Sequence, residues 1–437
     1  MKTLDLTDGS IYRKLILFSL PMIAGNLLQQ FYNLADTLIV GRFIGSDALA
    51  SVGSSYTLMT FLTSLIIGLC MGSSTFFSED FGSSNKENLN SDIFLSFIFI
   101  LIVTVIITAL IYPFSNQILY LLKIPDQLYD MTFSYVHIVF AGMFFIFLYN
   151  FFSFLLRSLG NSSTPLFFLA FSSILNIILD IYFIAFLSLG IAGAALATVI
   201  SQAISGIGIS IYAWKKLHLR TALQSHVSKE RLKQIMIHDI STGMQQSVMN
   251  FGILMIQGLV NSFGTIIMAT FAAAVKIDTI AYMPAQEFGN AYSIFVSQNY
   301  GAKKKERIQK GTYTAFLISI IFCLLMSSFI FFTAKNLMCL FIDASNTAVI
   351  GNGVTYLRIE GSMYVGIGIL FLWYGYFRAI EKPSVSLLLT VISLGTRVLL
   401  SYLLAPSFGV TFIWLSIPVG WFLADITGFL LYRANKS

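Results

Sequence analysis

Charge is what this sequence has least of. Only 11% of its 437 residues are Asp, Glu, Lys or Arg, against about 25% in an ordinary soluble domain, which excludes a water-soluble globular protein. Cysteine is nearly absent as well. Cys70, Cys323 and Cys339 stand in apolar surroundings at no metal-like spacing, so they read as core residues rather than as a zinc site. The apolar stretches lack the strict alternation that a membrane β-barrel requires. The first of them is too long and too polar at its end for a cleavable signal peptide, and no A-x-A-like site follows it.

What the chain has instead is apolar length. Hydrophobic residues make up 57% of it and aromatic residues 15%. Twelve apolar runs of about 20 residues, each sufficient to cross a bilayer as a helix, lie near 15–39, 53–77, 93–113, 135–156, 166–187, 190–214, 238–262, 266–295, 312–333, 357–378, 384–404 and 408–432. We number them spans 1 to 12. The expected fold is an all-α integral membrane protein with twelve transmembrane helices. Basic residues set the orientation. With a cytoplasmic N-terminus, Arg42, Lys123, Lys335 and Arg358 fall outside, Lys276 and Arg397 fall within spans, and all other Lys and Arg are cytoplasmic. Both termini are then cytoplasmic. The net charge of +6 follows from topology and calls for no nucleic-acid partner. "KKLHLR" and "KERLK" form a solvated linker at the membrane surface, where lipid is the expected neighbour.

The chain repeats itself weakly at an offset of about 219 residues. Gly45 matches Gly264, Ala50 matches Ala269, Gly190 matches Gly409, and "FSEDFGSSNKENL" parallels "VSQNYGAKKKERI". Slightly out of that register, Arg157 and Pro165 find counterparts in Arg378 and Pro383. Each half holds six spans and starts inside, so the repeats are parallel and form two pseudo-symmetric six-helix lobes, 1–220 and 221–437. Such duplication is a transporter signature, with the substrate path between halves; a relic of gene duplication is the alternative.

Intramembrane carboxylates are costly, about 2.5 kcal/mol or more each, so their positions carry information. Asp36 lies near the outer end of span 1. Asn176 and Asp180 share one face of span 5 at i and i+4, and Thr198 lies on span 6. At 1.5 Å per residue all four fall in the outer half of the membrane. An all-oxygen cluster of this kind suits a small hard cation such as Na+, or its two carboxyls can share a proton. The alternative is a permanent pair of Asp36 or Asp180 with a basic residue such as Arg397. Pro21 removes a hydrogen bond from the span 1 helix and marks a hinge or kink. At the repeat offset Asp36 falls on Met255, Asp180 on Leu399 and Thr198 on Ile417. The scaffold is duplicated and the cluster is not, so coupling chemistry is expected in the N-terminal half, 1–220. Lys276, Asp278, Glu287, Glu360 and Arg397 read as structural ion pairs, with Glu360 and Arg397 as candidate partners; the alternative is that they contact substrate in the transport path.

"LPMIAGNLLQQFYNLADTLIVGRFIG", "GNSSTP", "LNIILD" and "FVSQNYGAKK", in this order and spacing, resemble the multidrug and toxic compound extrusion (MATE) family along essentially the whole chain. The resemblance implies a monomeric plasma-membrane antiporter, not an enzyme and without a cofactor. It would export bulky, drug-like, cationic or aromatic compounds against inward Na+ or H+. In family members with an N-lobe cation site, the matching positions are Asp36, Asn176, Asp180 and Thr198, and Pro21 is associated with bending of the first helix. Polar cavity positions match Gln29, Tyr32, Tyr135 and Asn150; their other reading is interhelical packing. Another branch of the family uses carboxylates on spans 7 and 10. Here span 7 has no acid and span 10 has only Glu360, so C-lobe drug contacts are expected from Gln246, Asn250, Tyr292 and Trp373. The rival readings are a flippase of lipid-linked oligosaccharide or cell-wall precursor on the same fold, and an intramembrane aspartyl enzyme using Asp36 and Asp180. The first needs a wide cationic cavity and the second a Gly-rich catalytic motif, neither of which the sequence offers.

Overall fold

Apolar runs in hydrocarbon satisfy their backbone only as helices or closed barrels, and this chain uses helices. The computed structural model describes residues 3–121, 124–217, 219 and 228–434. The expected basic residues Lys2, Lys123, Arg220 and Lys436, most of the linker, and the boundary at 220/221 lie outside the described residues. In chain order the helices are α1 (Ile11–Phe43), α2 (Ser46–Gly82), α3 (Lys86–Leu121), α4 (Asp126–Ala141), α5 (Met143–Ser158), α6 (Ser163–Ile181), α7 (Gly190–Leu217), α8 (Lys229–Asn261), α9 (Thr265–Gly301), α10 (Lys305–Met338), α11 (Thr347–Gly361), α12 (Tyr364–Ala379), α13 (Pro383–Phe408) and α14 (Thr411–Ala434). No strand occurs among the described residues.

Most helices outrun the apolar stretches that announced them, because the chain stays helical into its polar flanks. Span 4 is broken instead: α4 and α5 meet at Gly142 with a bend of 46°. A Cβ on Gly142 would lie 2.9 Å from Cγ2 of Val199, so the break brings α7 close. Span 10 is likewise split into α11 and α12 around Ser362 and Met363. α6 closes in a π turn at Tyr182–Phe186. Among the described residues nine helices cross a membrane by length and apolarity alone, and the α4–α5 pair makes a tenth. The more polar α8 and the split α11–α12 take the seventh and tenth places in the twelve-span order.

The duplication is visible in the backbone. Ser84 and Lys303, 219 positions apart, both hold φ 57°. The turn around each closes with the same backbone bonds: Ser83, Ser84 and Asn85 donate to Glu79, Phe81 and Asp80, and Ala302, Lys303 and Lys304 donate to Gln298, Tyr300 and Asn299.

The helices pack into two units, Met1–Asp5 with Leu20–Gly243, and Leu6–Ser19 with Met244–Ser437. The first unit has an aromatic core in which Phe97 meets Phe147 and Phe151 at ring distances of 5.2 Å. At its cytoplasmic end the opening turns of α8 dock on α2 and α3. Arg231 forks onto Asp92 with N···O distances of 2.6–3.1 Å and stands over the Phe76 ring. Asp239 accepts from Ser73 Oγ at 2.5 Å. Gly72 permits this approach, since a Cβ there would lie 2.8 Å from Asp239 Cα. In the second unit Phe271 stacks on Trp414 at 5.6 Å and Tyr356 meets the same indole edge-on at 4.9 Å.

Candidate functional site

The N-lobe polar residues converge within the first unit. Asp36 on α1 is buried, as are Asn176 and Asp180 on α6 and Thr198 on α7. The helical repeat puts Asn176 one turn before Asp180. With its amide oriented to suit both neighbours, Asn176 donates Nδ2 to Asp180 Oδ2 at 2.7 Å and accepts at Oδ1 from the Thr198 N–H at 3.1 Å. The carboxyls of Asp36 and Asp180 are within hydrogen-bonding reach of each other. Tyr32, a turn before Asp36, lies close to the Thr198 side chain. Tyr135 on α4 is close enough to feel the charges of Asp36, Tyr32 and Asp180.

Oδ1 of Asp36 and Oδ1 of Asp180 are buried without a hydrogen-bond partner. The salt bridges among the described residues are Lys14–Asp8, Arg231–Asp80 and Arg231–Asp92, so neither carboxylate is neutralised by a fixed cation. Two orphaned carboxyl oxygens beside a hydroxyl and an amide form a donor set of hard oxygens, which fits Na+ or a shared proton. Among the described residues no group of three His, Cys, Asp or Glu is arranged for a metal ion.

The other N-lobe positions stand apart from the cluster. Gln29 is exposed, and Asn150 on α5 donates to the Ile146 carbonyl of its own helix at 2.8 Å. Pro21 lies inside an unbroken α1, where its missing N–H leaves the Leu17 carbonyl without a helix partner.

The C-lobe differs from expectation in two respects. Tyr292 is fully buried with its hydroxyl 2.7 Å from Thr312 Oγ1, and Trp373 is packed among Phe316, Phe377 and Tyr432. Both are core residues and present no face to a ligand. Glu360 pairs with Asp278 rather than forming a salt bridge with Arg397: the two buried carboxyls are within hydrogen-bonding reach, and Tyr364 donates to Asp278 Oδ1 at 2.6 Å. Arg397 makes no salt bridge with either carboxyl, although its charge acts on both. Sequence reasoning missed this pair because span 10 was started ten residues late, at 357. With α9 beginning at Thr265 and α11 at Thr347, Asp278 and Glu360 each lie thirteen residues into their helices, at one depth. Asp425 on α14 is buried with neither carboxyl oxygen partnered.

Apolar helices in a twelve-span order and duplicated halves, with carboxyls buried inside the spans, define a polytopic secondary transporter. The family model described as MatE matches residues 21–182 and 242–403, one copy on each half, and the chain belongs to that family. It is 31% identical over 437 residues to the probable multidrug resistance protein YpnP of Bacillus subtilis strain 168, covering 100% of this chain and 98% of that one. A MATE crystal structure in complex with MaL6 superposes with a TM-score of 0.92 at 25% identity, covering 100% of this chain and 98% of the other. A MOP superfamily transporter from Pyrococcus furiosus, for which a reverse polarity of the binding pocket suggests a different function, gives the same TM-score of 0.92 at 25% identity and the same coverage. The chain is thus a multi-pass plasma-membrane transporter and not an enzyme.

Proposed function

We propose that this transporter is a multidrug efflux antiporter that exports bulky aromatic or cationic compounds against an inward flow of Na+ or H+. The observation that carries the reading is the proximity of Asp36 and Asp180, two buried carboxyls on different helices with no salt-bridge partner among the described residues. A membrane protein sustains such a pair when a mobile cation neutralises it. Asp36, Asn176, Asp180 and Thr198 hold that cation, in the lobe of residues 1–220. Its arrival draws α1 toward α6 and α7, and Pro21 supplies the weak point about which α1 bends. Tyr32 and Tyr135 line the substrate side next to the cluster, with Gln29 and Asn150 further along. Drug and ion then compete for one conformational state, which is sufficient for antiport by alternating access.

The experiment is efflux of a fluorescent aromatic cation from proteoliposomes of defined orientation, under an imposed Na+ gradient and separately under a pH gradient. Wild type should respond to at least one gradient, and the responding gradient names the ion. Asp36→Asn should abolish the response while leaving ungraded substrate binding intact. Retained coupling in Asp36→Asn makes Asp36 a structural charge and moves the search to Asp278 and Glu360.

A further inference from the structure

At the cytoplasmic end of the second unit lies a cavity of about 530 Å³ lined by Ile11, Lys303, Lys304, Lys305, Glu306, Arg307 and Lys310. Five cations surround it against one carboxylate. Two of the five are already engaged with the segment that leads into α1. Arg307 donates to the carbonyls of Leu6, Asp8 and Gly9, and Lys304 Nζ donates to the Thr7 carbonyl at 2.8 Å. The ammonium groups of Lys303, Lys305 and Lys310 stand exposed at the rim.

The duplicated half shows that this charge is not needed to build the turn. The equivalent turn in the first unit has the same backbone bonds and the same φ of 57° at Ser84 as at Lys303. Yet it reads Ser84, Asn85, Lys86, Glu87, Asn88 and Ser91 where this one reads Lys303, Lys304, Lys305, Glu306, Arg307 and Lys310. One scaffold folds with a single lysine, and its copy carries five basic residues. Mutual repulsion among clustered cations is a cost that an anionic ligand would offset.

The surroundings say which anion. Tyr313, three residues and about 5 Å beyond Lys310, is exposed, and Leu317, Ile321 and Leu324 continue its face of α10 as an exposed apolar stripe. Polar rim, aromatic residue and apolar stripe follow one another along a single helix face, the order of headgroup, interface and hydrocarbon in a leaflet. We propose that the pocket seats the phosphodiester headgroup of an anionic phospholipid of the cytoplasmic leaflet, held by Lys303, Lys305 and Lys310, with its acyl chains along α10. Basic pockets between helices on the cytoplasmic side are suited to this use.

The test compares wild type, Lys303→Gln/Lys305→Gln/Lys310→Gln, and a control with the same loss of charge on the same membrane face, Lys215→Gln/Lys216→Gln/Lys229→Gln. Each full-length protein is taken from vesicles of equal parts phosphatidylcholine and phosphatidylglycerol, and retained lipid is read by native mass spectrometry, with and without added inorganic phosphate. Wild type and the control should retain phosphatidylglycerol in preference to phosphatidylcholine. The pocket variant should lose that preference by about a hundredfold, and the corresponding triple Lys→Arg variant should keep it, which guards against misfolding. Equal loss in the control means diffuse surface attraction and overturns the proposal. Displacement of phosphatidylglycerol from wild type and control alike by inorganic phosphate, at concentrations that leave the pocket variant's remaining lipid in place, means a site for a soluble anion, and overturns it too.

Discussion

Asn176 joins two helices by giving its amide hydrogen to Asp180 on its own α6 and taking one from the backbone of Thr198 on α7. Asn176→Leu keeps the branched shape of the side chain and removes both bonds, leaving a buried carboxyl oxygen of Asp180 without its donor, at a cost of about 1–3 kcal/mol. The half-saturating concentration of the coupling ion should rise at least about tenfold. The measurement is gradient-driven efflux as a function of Na+ or of pH, with expression and monodispersity checked alongside.

The carboxyl pair of the second unit should behave differently from that of the first. Asp278 is already hydrogen-bonded by Tyr364, and Asp278→Asn leaves an amide that still accepts that bond. Asp278→Asn is expected to retain gradient-driven transport where Asp36→Asn does not. Side-by-side assays of the two variants in one vesicle preparation decide the matter.

Arg231 should be a strong determinant of stability. It is the ion-pair partner of Asp92, whose side chain is fully buried, and it also lies 3.8 Å from Asp80. Arg231→Ala strands those carboxylates and should cost about 3–5 kcal/mol, seen as a lowered midpoint of thermal unfolding in detergent. Arg231→Lys should recover only part, because an ammonium cannot reproduce the fork onto both Asp92 oxygens.

The segment before α1 should loosen in acid. Asp8 lies outside the spans, and the hydrogen bond and charge of Lys14 hold its carboxyl below the ordinary value of 3.8, with Arg307 and Lys304 adding to the effect. A lowered folded value means that the contribution is complete above the ordinary carboxylate range and is lost as pH falls through the lowered value. Amide hydrogen exchange at residues 6–9 should therefore be insensitive to this group at neutral pH and accelerate in strong acid. Asp8→Asn should remove that acid-dependent step.

The spans and their duplication were legible in the sequence because hydrocarbon demands long apolar runs and a repeat of glycines and loop motifs survives in both halves. The meeting of Asp36, Asn176, Asp180 and Thr198 was legible for a related reason. Acids are so rare inside spans that depth along each helix nearly fixes which can touch. The same calculation failed for Asp278 and Glu360 only through its starting point, since the polar opening of α11, "TAVIGNGVTYLR", does not look like the beginning of a span. Tyr292 and Trp373 were misplaced because aromatic residues serve core and cavity equally well, and only packing distinguishes them. The pairing of Arg231 with Asp92, 139 residues away, has no local signature at all.

The packing units and the two copies of the repeat do not coincide. Leu6–Ser19 at the start of the first copy belongs to the second unit, and the part of α8 up to Gly243, in the second copy, belongs to the first. Each copy lends its opening turns to the other's unit, and each loan ends near a residue that weakens a helix, Pro21 in α1 and Gly243 in α8. Severing the chain between residues 221 and 227 would therefore yield fragments that are each deprived of a piece of their own core. Neither should mature alone, whereas co-expression should restore both, because each fragment carries the helical turns that complete the other's packing unit.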